Sequence, residues 1–303
     1  MNNMRKLLVV LLALGLQAGA QDLAHYKKVI KEISSAKYQG RGYAKGGANK
    51  AGKFLAKEYK KAGVDEVVCQ PFTLDIQTFA GKMEMEGLYA EGEGNQMVNG
   101  KSSNGKWKKL TAGIDFSMRE YSPGVKGEFP VYHVDTLNFD ADKMFADLQK
   151  PEYKDCLVAC EFWFTYKHRE AFSRLQQAGE CPNAGLIYTW PAPIKFFKAY
   201  GHRVVDKPIV WVTPEAIEGV QRVKLDVDAK FLKDYECFNV ISKIEGERHD
   251  SCYVFTAHYD HLGNLGKKVF YAGANDNASG TATIVTLAAY YARHRPKFDI
   301  YFL

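Results

Sequence analysis

Several features that would define other classes of protein are missing from this chain. It contains no G-x-S-x-G, no phosphate-binding loop and no G-x-G-x-x-G, which disfavours a serine hydrolase or a nucleotide enzyme. It also lacks a Cys-x-x-Cys pair of the kind that forms structural zinc sites. Repeats and low-complexity segments are absent too, so nothing in the sequence indicates disorder.

An excess of one charge is also missing. The 303 residues have a formal net charge of +6, and removal of residues 1–20 would lower it to +4. A small, evenly spread excess does not favour a nucleic-acid partner. The hydrophobic content of 46% and the charged content of 25% are typical of soluble globular proteins. The length allows two domains, or one large domain with an insertion.

The N-terminal residues have the pattern of an export signal. Arg5 and Lys6 precede the apolar run LLVVLLALGL at 7–16, and the small residues of QAGA at 17–20 have the spacing of a cleavage site. The run is shorter than the about 20 residues that span a bilayer, so stable membrane insertion is not expected. We predict a signal peptide at 1–20 and a periplasmic or extracellular protein; an uncleaved anchor is the alternative.

The six cysteines leave two possibilities open. An exported protein permits disulfides. Cys156 and Cys160, however, lie in one apolar strand-like run, too far apart along it to bridge each other. Both disulfides and buried free thiols therefore remain compatible with the sequence.

Hydrophobic periodicity divides the rest of the chain into three parts. Residues 21–79 predict two amphipathic helices, the second ending at Gly63, and then a strand. Residues 80–235 alternate short β-prone segments with helix candidates. Residues 236–303 predict strand, loop, apolar helix and strand, which is a βαβ unit with parallel pairing. We predict an α/β fold in which an insert at 80–235 interrupts a mixed-sheet domain, with CYVFTA at 252–257 as a buried strand.

Four polar residues fall at one edge of the predicted βαβ unit. His258, Asp260 and His261 follow the strand, and Asp276 precedes the helix. Ligands bind at this edge of open α/β sheets. Imidazole and carboxylate groups are zinc ligands, and Asp260 is placed to accept a ring N–H and so fix the tautomer of His258. Taken singly, such residues more often form turns and helix caps; it is their joint placement at one edge that makes a metal site an equal alternative.

Two segments resemble a known family. AHYDHLG at 257–263, followed by AGANDNASGT at 272–281, resembles the first metal-binding half of the di-zinc metallopeptidases of family twenty-eight. That family is of the aminopeptidase Y type and includes bacterial leucyl aminopeptidases and glutamate carboxypeptidases. The glycine-rich segment and helix at 38–64 are similar to its N-terminal helices. Residues 80–235 resemble a protease-associated insert in their alternation of short strands and helices.

The resemblance implies a zinc-dependent exopeptidase of aminopeptidase type with a three-layer α/β/α domain, two zinc ions and a peptide substrate. His258 would bind one zinc ion, Asp276 would bridge both, and Asp260 would orient His258. A cis peptide bond would follow Asp276. The zinc ions would polarise the scissile carbonyl, and a general-base glutamate would accept a proton from the attacking water. His261 has no implied role; it closes the turn or contributes to the site.

The chain departs from the family pattern after this point. The general-base glutamate and three of the five expected metal ligands would follow, and the chain does not contain them. We therefore expect an N-terminal fragment that is inactive alone. Two alternatives stay open on the same scaffold. One is a non-catalytic receptor-like or binding relative, against which the retained His258, Asp260 and Asp276 argue. The other is a zinc-dependent glutaminyl cyclase or amide hydrolase. The sequence predicts no oligomeric state.

Overall fold

A computed structural model describes residues 22–90, 105–191, 194, 198 and 200–303. The predicted signal peptide at 1–20 lies outside the described residues. Within them, no helix has the length and apolar character needed to cross a membrane. All six cysteines are free thiols: Cys69 and Cys252 are exposed, and the other four are buried.

The described residues alternate helices and strands along the chain. The helices are α1 Leu23–Ile33, α2 Gly47–Ala62, α3 Ala141–Leu148, α4 Phe162–Lys167, α5 Arg169–Gln176, α6 Pro214–Ile217 and α7 Ser279–Tyr291. Short 3₁₀ segments occupy Ala36–Arg41 and Pro151–Tyr153, and a π-helical turn occupies Ala274–Ala278. The strands are β1 Glu66–Thr78, β2 Met83–Ala90, β3 Gly105–Leu110, β4 Phe116–Met118, β5 Val125–His133, β6 Leu157–Glu161, β7 Gly185–Thr189, β8 Tyr200–Gly201, β9 Ile209–Val212, β10 Val220–Val227, β11 Lys230–Ile244, β12 Arg248–Phe255, β13 Asn264–Leu265, β14 Val269–Phe270 and β15 Phe298–Phe302.

Local signals explain where the first two helices begin and end. The Asp22 side chain accepts hydrogen bonds from the N–H groups of Ala24 and His25 and so caps α1. Gly63 follows α2 in the left-handed conformation at φ 79°, where its N–H bonds to the carbonyl of Lys60. The predicted helices and the stop at Gly63 are therefore confirmed.

A mixed five-stranded sheet contains the predicted βαβ unit. Its strand order is β12-β15-β11-β1-β8. β12 pairs with β15 in parallel, with α7 between them in the chain, whereas β11 runs antiparallel to both β15 and β1. The parallel pairing and the α/β class predicted from the sequence are confirmed.

One hydrophobic cluster attaches the three long helices to this sheet. The cluster combines Val29 of α1, Leu55 of α2 and Val285 of α7 with Val240 of β11 and Ile300 of β15, all buried. Burial of each such side chain stabilises the fold by about 1.5–3 kcal/mol. The apolar face that defines α2 in the sequence contacts β11 and β1, whereas α1 packs against α7.

The expectation that residues 252–257 form a buried strand is wrong in one respect. β12 forms, but every residue in it is exposed. The reason is its position at the edge of the sheet, where β15 is its only partner strand among the described residues. Tyr253 and Val254 are 57% and 54% exposed.

A second, eight-stranded sheet is built from strands between residues 83 and 227, in the order β3-β2-β10-β5-β6-β7-β9-β4. β5, β6, β7 and β9 are parallel neighbours. Successive residues of β6, Leu157 and Val158, contribute to two different buried clusters. Both faces of these strands are therefore covered, which explains why they are continuously apolar in the sequence. The domain boundaries at 80 and 235 remain a prediction.

Candidate metal centre

His258 and Asp276 reach the same edge of the five-stranded sheet from two different loops. His258 lies three residues beyond β12, and the Thr281 hydroxyl of α7 donates to its carbonyl over 3.1 Å. Asp276 lies in the π-helical turn that precedes α7, and the peptide bond from it to Asn277 is cis, as the resemblance implies. Both side chains are exposed, His258 by 55% and Asp276 by 66%.

The two predicted ligands face each other. Nε2 of His258 lies 3.3 Å from Oδ1 of Asp276. On the opposite side of the ring, Nδ1 of His258 lies 3.2 Å from Oδ1 of Asp260. A carboxylate that accepts the Nδ1 proton leaves the Nε2 lone pair directed at Asp276, the arrangement common among metal-binding histidines.

Two tyrosines hold the other oxygen of Asp260. The hydroxyls of Tyr43 and Tyr200 donate to Oδ2 over 2.9 and 3.1 Å. Burial, followed by the nearby Asp260 carboxylate, raises the pKa of both tyrosines, so both hydroxyls remain protonated donors at neutral pH. The Asp260 carboxylate is thus oriented from three directions. Neither tyrosine was predicted from the sequence.

His261 contacts the second oxygen of Asp276. Its Nδ1 lies 3.4 Å from Oδ2, and its side chain is only 9% exposed. Burial and the nearby Arg41 guanidinium lower the pKa of His261, which favours the uncharged ring. The role that the sequence left open therefore involves a direct contact with the predicted bridging carboxylate.

Arg41 is the buried charge of this region, and sequence reasoning missed it. Its side chain is fully buried and donates only to backbone carbonyls, two of which belong to Tyr259 and Asp276. Burial lowers the pKa of Arg41 to about 10, so it stays charged at neutral pH. The signal that could have revealed it is a single charged residue between Gly40 and Gly42.

The two glycines explain how the Arg41 segment approaches the His258 loop so closely. Gly40 has φ 67°, and a Cβ atom there would collide with the carbonyls of Gly263 and Tyr271. A Cβ atom on Gly42 would collide with Cα of Gly263. Only glycine allows this backbone contact.

The donor set fits part of a zinc site. Two ligands held about 2.0–2.1 Å from one tetrahedral zinc ion lie about 3.3 Å apart, and the His258–Asp276 separation matches this distance. Over the described residues, no group of three or more His, Cys, Asp or Glu side chains is arranged to hold a metal ion. His258 and Asp276 are therefore two candidate ligands, and among the described residues no third side chain joins them in such a group.

A cavity of about 500 Å³ opens beside these residues. Its lining includes the polar side chains of His258, Asp260 and Asn277 and the apolar side chains of Phe72 and Phe238. A ligand bound at His258 would therefore have space in a cavity that also contains aromatic side chains.

Comparison with known proteins gives one family match in sequence and several matches in fold. Residues 239–303 match the family model of Peptidase family M28. BSAP, a zinc aminopeptidase from Bacillus subtilis, is 18% identical with a TM-score of 0.57; the match covers 92% of this chain and 60% of that one. An aminopeptidase from Aneurinibacillus sp. strain AM-1 is 18% identical with a TM-score of 0.53 over 93% and 62%. A Peptidase M28 precursor from Shewanella amazonensis SB2B is 15% identical with a TM-score of 0.62 over 96% and 65%.

These matches confirm the predicted resemblance to the metallopeptidase family and the α/β fold. The sequence match covers the segment that contains His258, Asp260 and Asp276, and the solved structures show the shared fold. The chain spans between 60% and 65% of the length of those structures. No curated protein is significantly similar to it in sequence.

Proposed function

We propose that the protein is an exported, zinc-dependent exopeptidase of aminopeptidase type. His258 and Asp276 are its zinc ligands within this chain, and Asp260 orients His258. The observation that carries the proposal is the alignment of Asp260, His258 and Asp276, with separations of 3.2 and 3.3 Å on opposite sides of one imidazole ring.

The side chains of this centre have separate tasks. Zinc, when bound, supplies a Lewis acid that polarises the scissile carbonyl of a peptide. His258 offers the lone pair of its Nε2 to the metal, and Asp276 offers Oδ1 on the same side of the imidazole ring. Asp260 holds the ring by its Nδ1 proton, and the hydroxyls of Tyr43 and Tyr200 keep Asp260 in place.

The number of ligands sets the expected affinity. The family pattern has two zinc ions and five ligands, and His258 and Asp276 are the two that this chain contributes. Because a zinc site normally has four ligands, the 303 residues alone should bind zinc weakly. They should also lack peptidase activity, since they contain no general-base glutamate after Asp276.

Zinc binding tests the site directly. Competition with a chromophoric chelator would give the zinc dissociation constant of the chain and of His258→Ala and Asp276→Ala, both of which should bind much more weakly. The matched control is His249→Ala, because the exposed His249 ring contacts a carboxylate outside the proposed centre, 2.8 Å from Asp299. Equal zinc affinity in all four proteins would contradict the proposed ligands.

Activity tests the reaction class. Protein encoded by the natural gene should hydrolyse an aminoacyl anilide with a free α-amine but not its N-acetyl derivative. A chelator should abolish hydrolysis, and zinc should restore it. Cyclisation of an N-terminal glutamine would instead identify the cyclase alternative, and zinc binding without turnover would identify a binding protein.

A further inference from the structure

The side chain of Arg41 joins three separate segments of the chain. Its Nε donates to the carbonyl of Tyr259 over 2.8 Å, in the loop that contains His258 and Asp260. Its Nη1 donates to the carbonyl of Ile33, the last residue of α1, over 3.1 Å. The third segment is the loop from 272 to 276.

That third loop receives three hydrogen bonds from the same guanidinium. Nη1 donates to the carbonyl of Ala272 over 2.7 Å, and Nη2 donates to the carbonyls of Gly273 and Asp276 over 2.7 and 3.2 Å. An arginine has five N–H donors in a rigid planar fork. All five of them are therefore used, and each one is directed at a backbone carbonyl.

This arrangement is costly to build. Burial of a guanidinium without a carboxylate partner removes its hydration. Hydrogen bonds to backbone carbonyls offset only part of that free-energy cost. Arg41 itself has φ 49° and follows two more residues, Gln39 and Gly40, with positive φ. Non-glycine residues in this region are strained, and such strain persists where the surrounding structure requires it. Packing of a surface loop would not require a buried charge.

We infer that Arg41 is a positioning residue that sets the spacing between the two loops of the metal centre. The guanidinium of Arg41 donates to the carbonyl of Tyr259, which follows His258, and also to the carbonyl of Asp276. The rigid geometry of the guanidinium then maintains the 3.3 Å between His258 Nε2 and Asp276 Oδ1. The inference rests on the proposed function, because this spacing matters only if both side chains bind one ion.

The test compares Arg41→Lys and Arg41→Met with the unchanged chain. Lysine keeps the charge but presents its donors from one nitrogen, so it cannot reach both loops. Both variants should therefore weaken zinc binding by about 10–100-fold, the usual effect of losing a group that orients metal ligands. The control is Leu55→Ala, which removes a buried side chain from the same hydrophobic cluster but leaves the five hydrogen bonds of Arg41 in place. Its zinc affinity should be unchanged at a temperature where all the variants are folded.

Amide hydrogen exchange provides a readout that does not depend on metal. The N–H groups of His261, Tyr271 and Ala278 bond to the carbonyls of Arg41, Gly263 and Gly273, in or next to the two loops that Arg41 connects. In the Arg41 variants these amides should exchange faster while amides of α2 and β1 keep their rates. In Leu55→Ala any increase should extend over the whole helical layer.

Gly273→Ala tests the same contact with Arg41 in place, should the Arg41 variants not fold. A Cβ atom on Gly273 would collide with Arg41 Nη2 and His261 Cδ2, so this variant should show the same local changes. Unchanged exchange in the two loops, or a uniform increase like that of Leu55→Ala, would overturn the inference. Equal zinc affinity of the unchanged chain and His258→Ala would instead overturn the proposed function, and the exchange rates would still decide the role of Arg41.

Discussion

The hydroxyl of Tyr200 donates to Oδ2 of Asp260 over 3.1 Å and connects two parts of the chain that the sequence divides. Tyr200 lies in the predicted insert at 80–235, whereas Asp260 lies in the loop that follows β12. The short strand β8, which contains Tyr200, pairs with β1 at the edge of the five-stranded sheet. Residues of the insert therefore contribute directly to the proposed metal centre.

Loss of this hydroxyl should weaken zinc binding without unfolding the protein. Tyr200→Phe and Tyr43→Phe each remove one hydrogen bond to a carboxylate, a contribution of about 1.5–3 kcal/mol when the acceptor is charged. We expect each substitution to raise the zinc dissociation constant severalfold, and the double variant to raise it further. Chelator competition would measure the change. Tyr132→Phe, which removes a similar bond to Asp147 far from the centre, should leave it unaltered.

Asp260→Asn should test the orientation of the His258 ring separately from the binding of zinc by His258. The asparagine cannot accept the Nδ1 proton as strongly as the carboxylate, so zinc should still bind to His258 but about 10–100-fold more weakly. His258→Ala removes the ligand itself and should have the larger effect on zinc affinity and on the activity of the natural protein. Asp299→Asn serves as the control, because Asp299 contacts His249 and no residue of the proposed metal centre. A loss in Asp260→Asn as large as in His258→Ala would show that Asp260 does more than orient the ring.

Glu58 should make the chain less stable in acid. Burial raises its pKa, but hydrogen bonds from Lys61 and His25 outweigh burial and hold the pKa below the ordinary value of 4.5. A depressed carboxyl pKa stabilises the fold above about pH 4.5, and this contribution disappears as the pH falls from there through the folded-state pKa. Glu58→Gln should therefore melt at a lower temperature than the unchanged chain at pH 7. The melting temperatures of the two proteins should converge as the pH falls from about 4.5; a constant difference down to pH 3 would contradict the assignment.

The exposed edge strand should promote self-association. Tyr253 and Val254 present apolar side chains on β12, whose outer backbone groups have no partner strand in the described sheet. Edge strands of this kind pair with other copies unless a charge prevents it. Val254→Lys should lower concentration-dependent light scattering at an unchanged melting temperature. Leu137→Lys is the control, because Leu137 is 92% exposed but lies in a loop. Equal scattering by both variants would exclude β12 as the contact.

The sequence by itself predicts α1, α2 and α7, the two strands of the βαβ unit and the positions of His258, Asp260 and Asp276. Each of these depends on local patterns: the 3.6-residue period of α1 and α2, and the order of strand, loop and helix around 252–281. Because strand, helix and parallel strand place the carboxyl end of one element beside the start of the next, the residues of both loops must meet at one edge of the sheet.

The tertiary structure decides how that edge is held together. Arg41 and Tyr43 lie 218 and 217 residues before the groups they contact at 259 and 260. Contacts over such distances leave no periodic pattern, because each depends on the packing of segments that meet only in the folded chain. The same reason explains why the exposure of β12 could not be predicted from the sequence. Its apolar composition predicts a strand, but only the order of strands in the sheet determines whether that strand is central and buried or lies exposed at the edge.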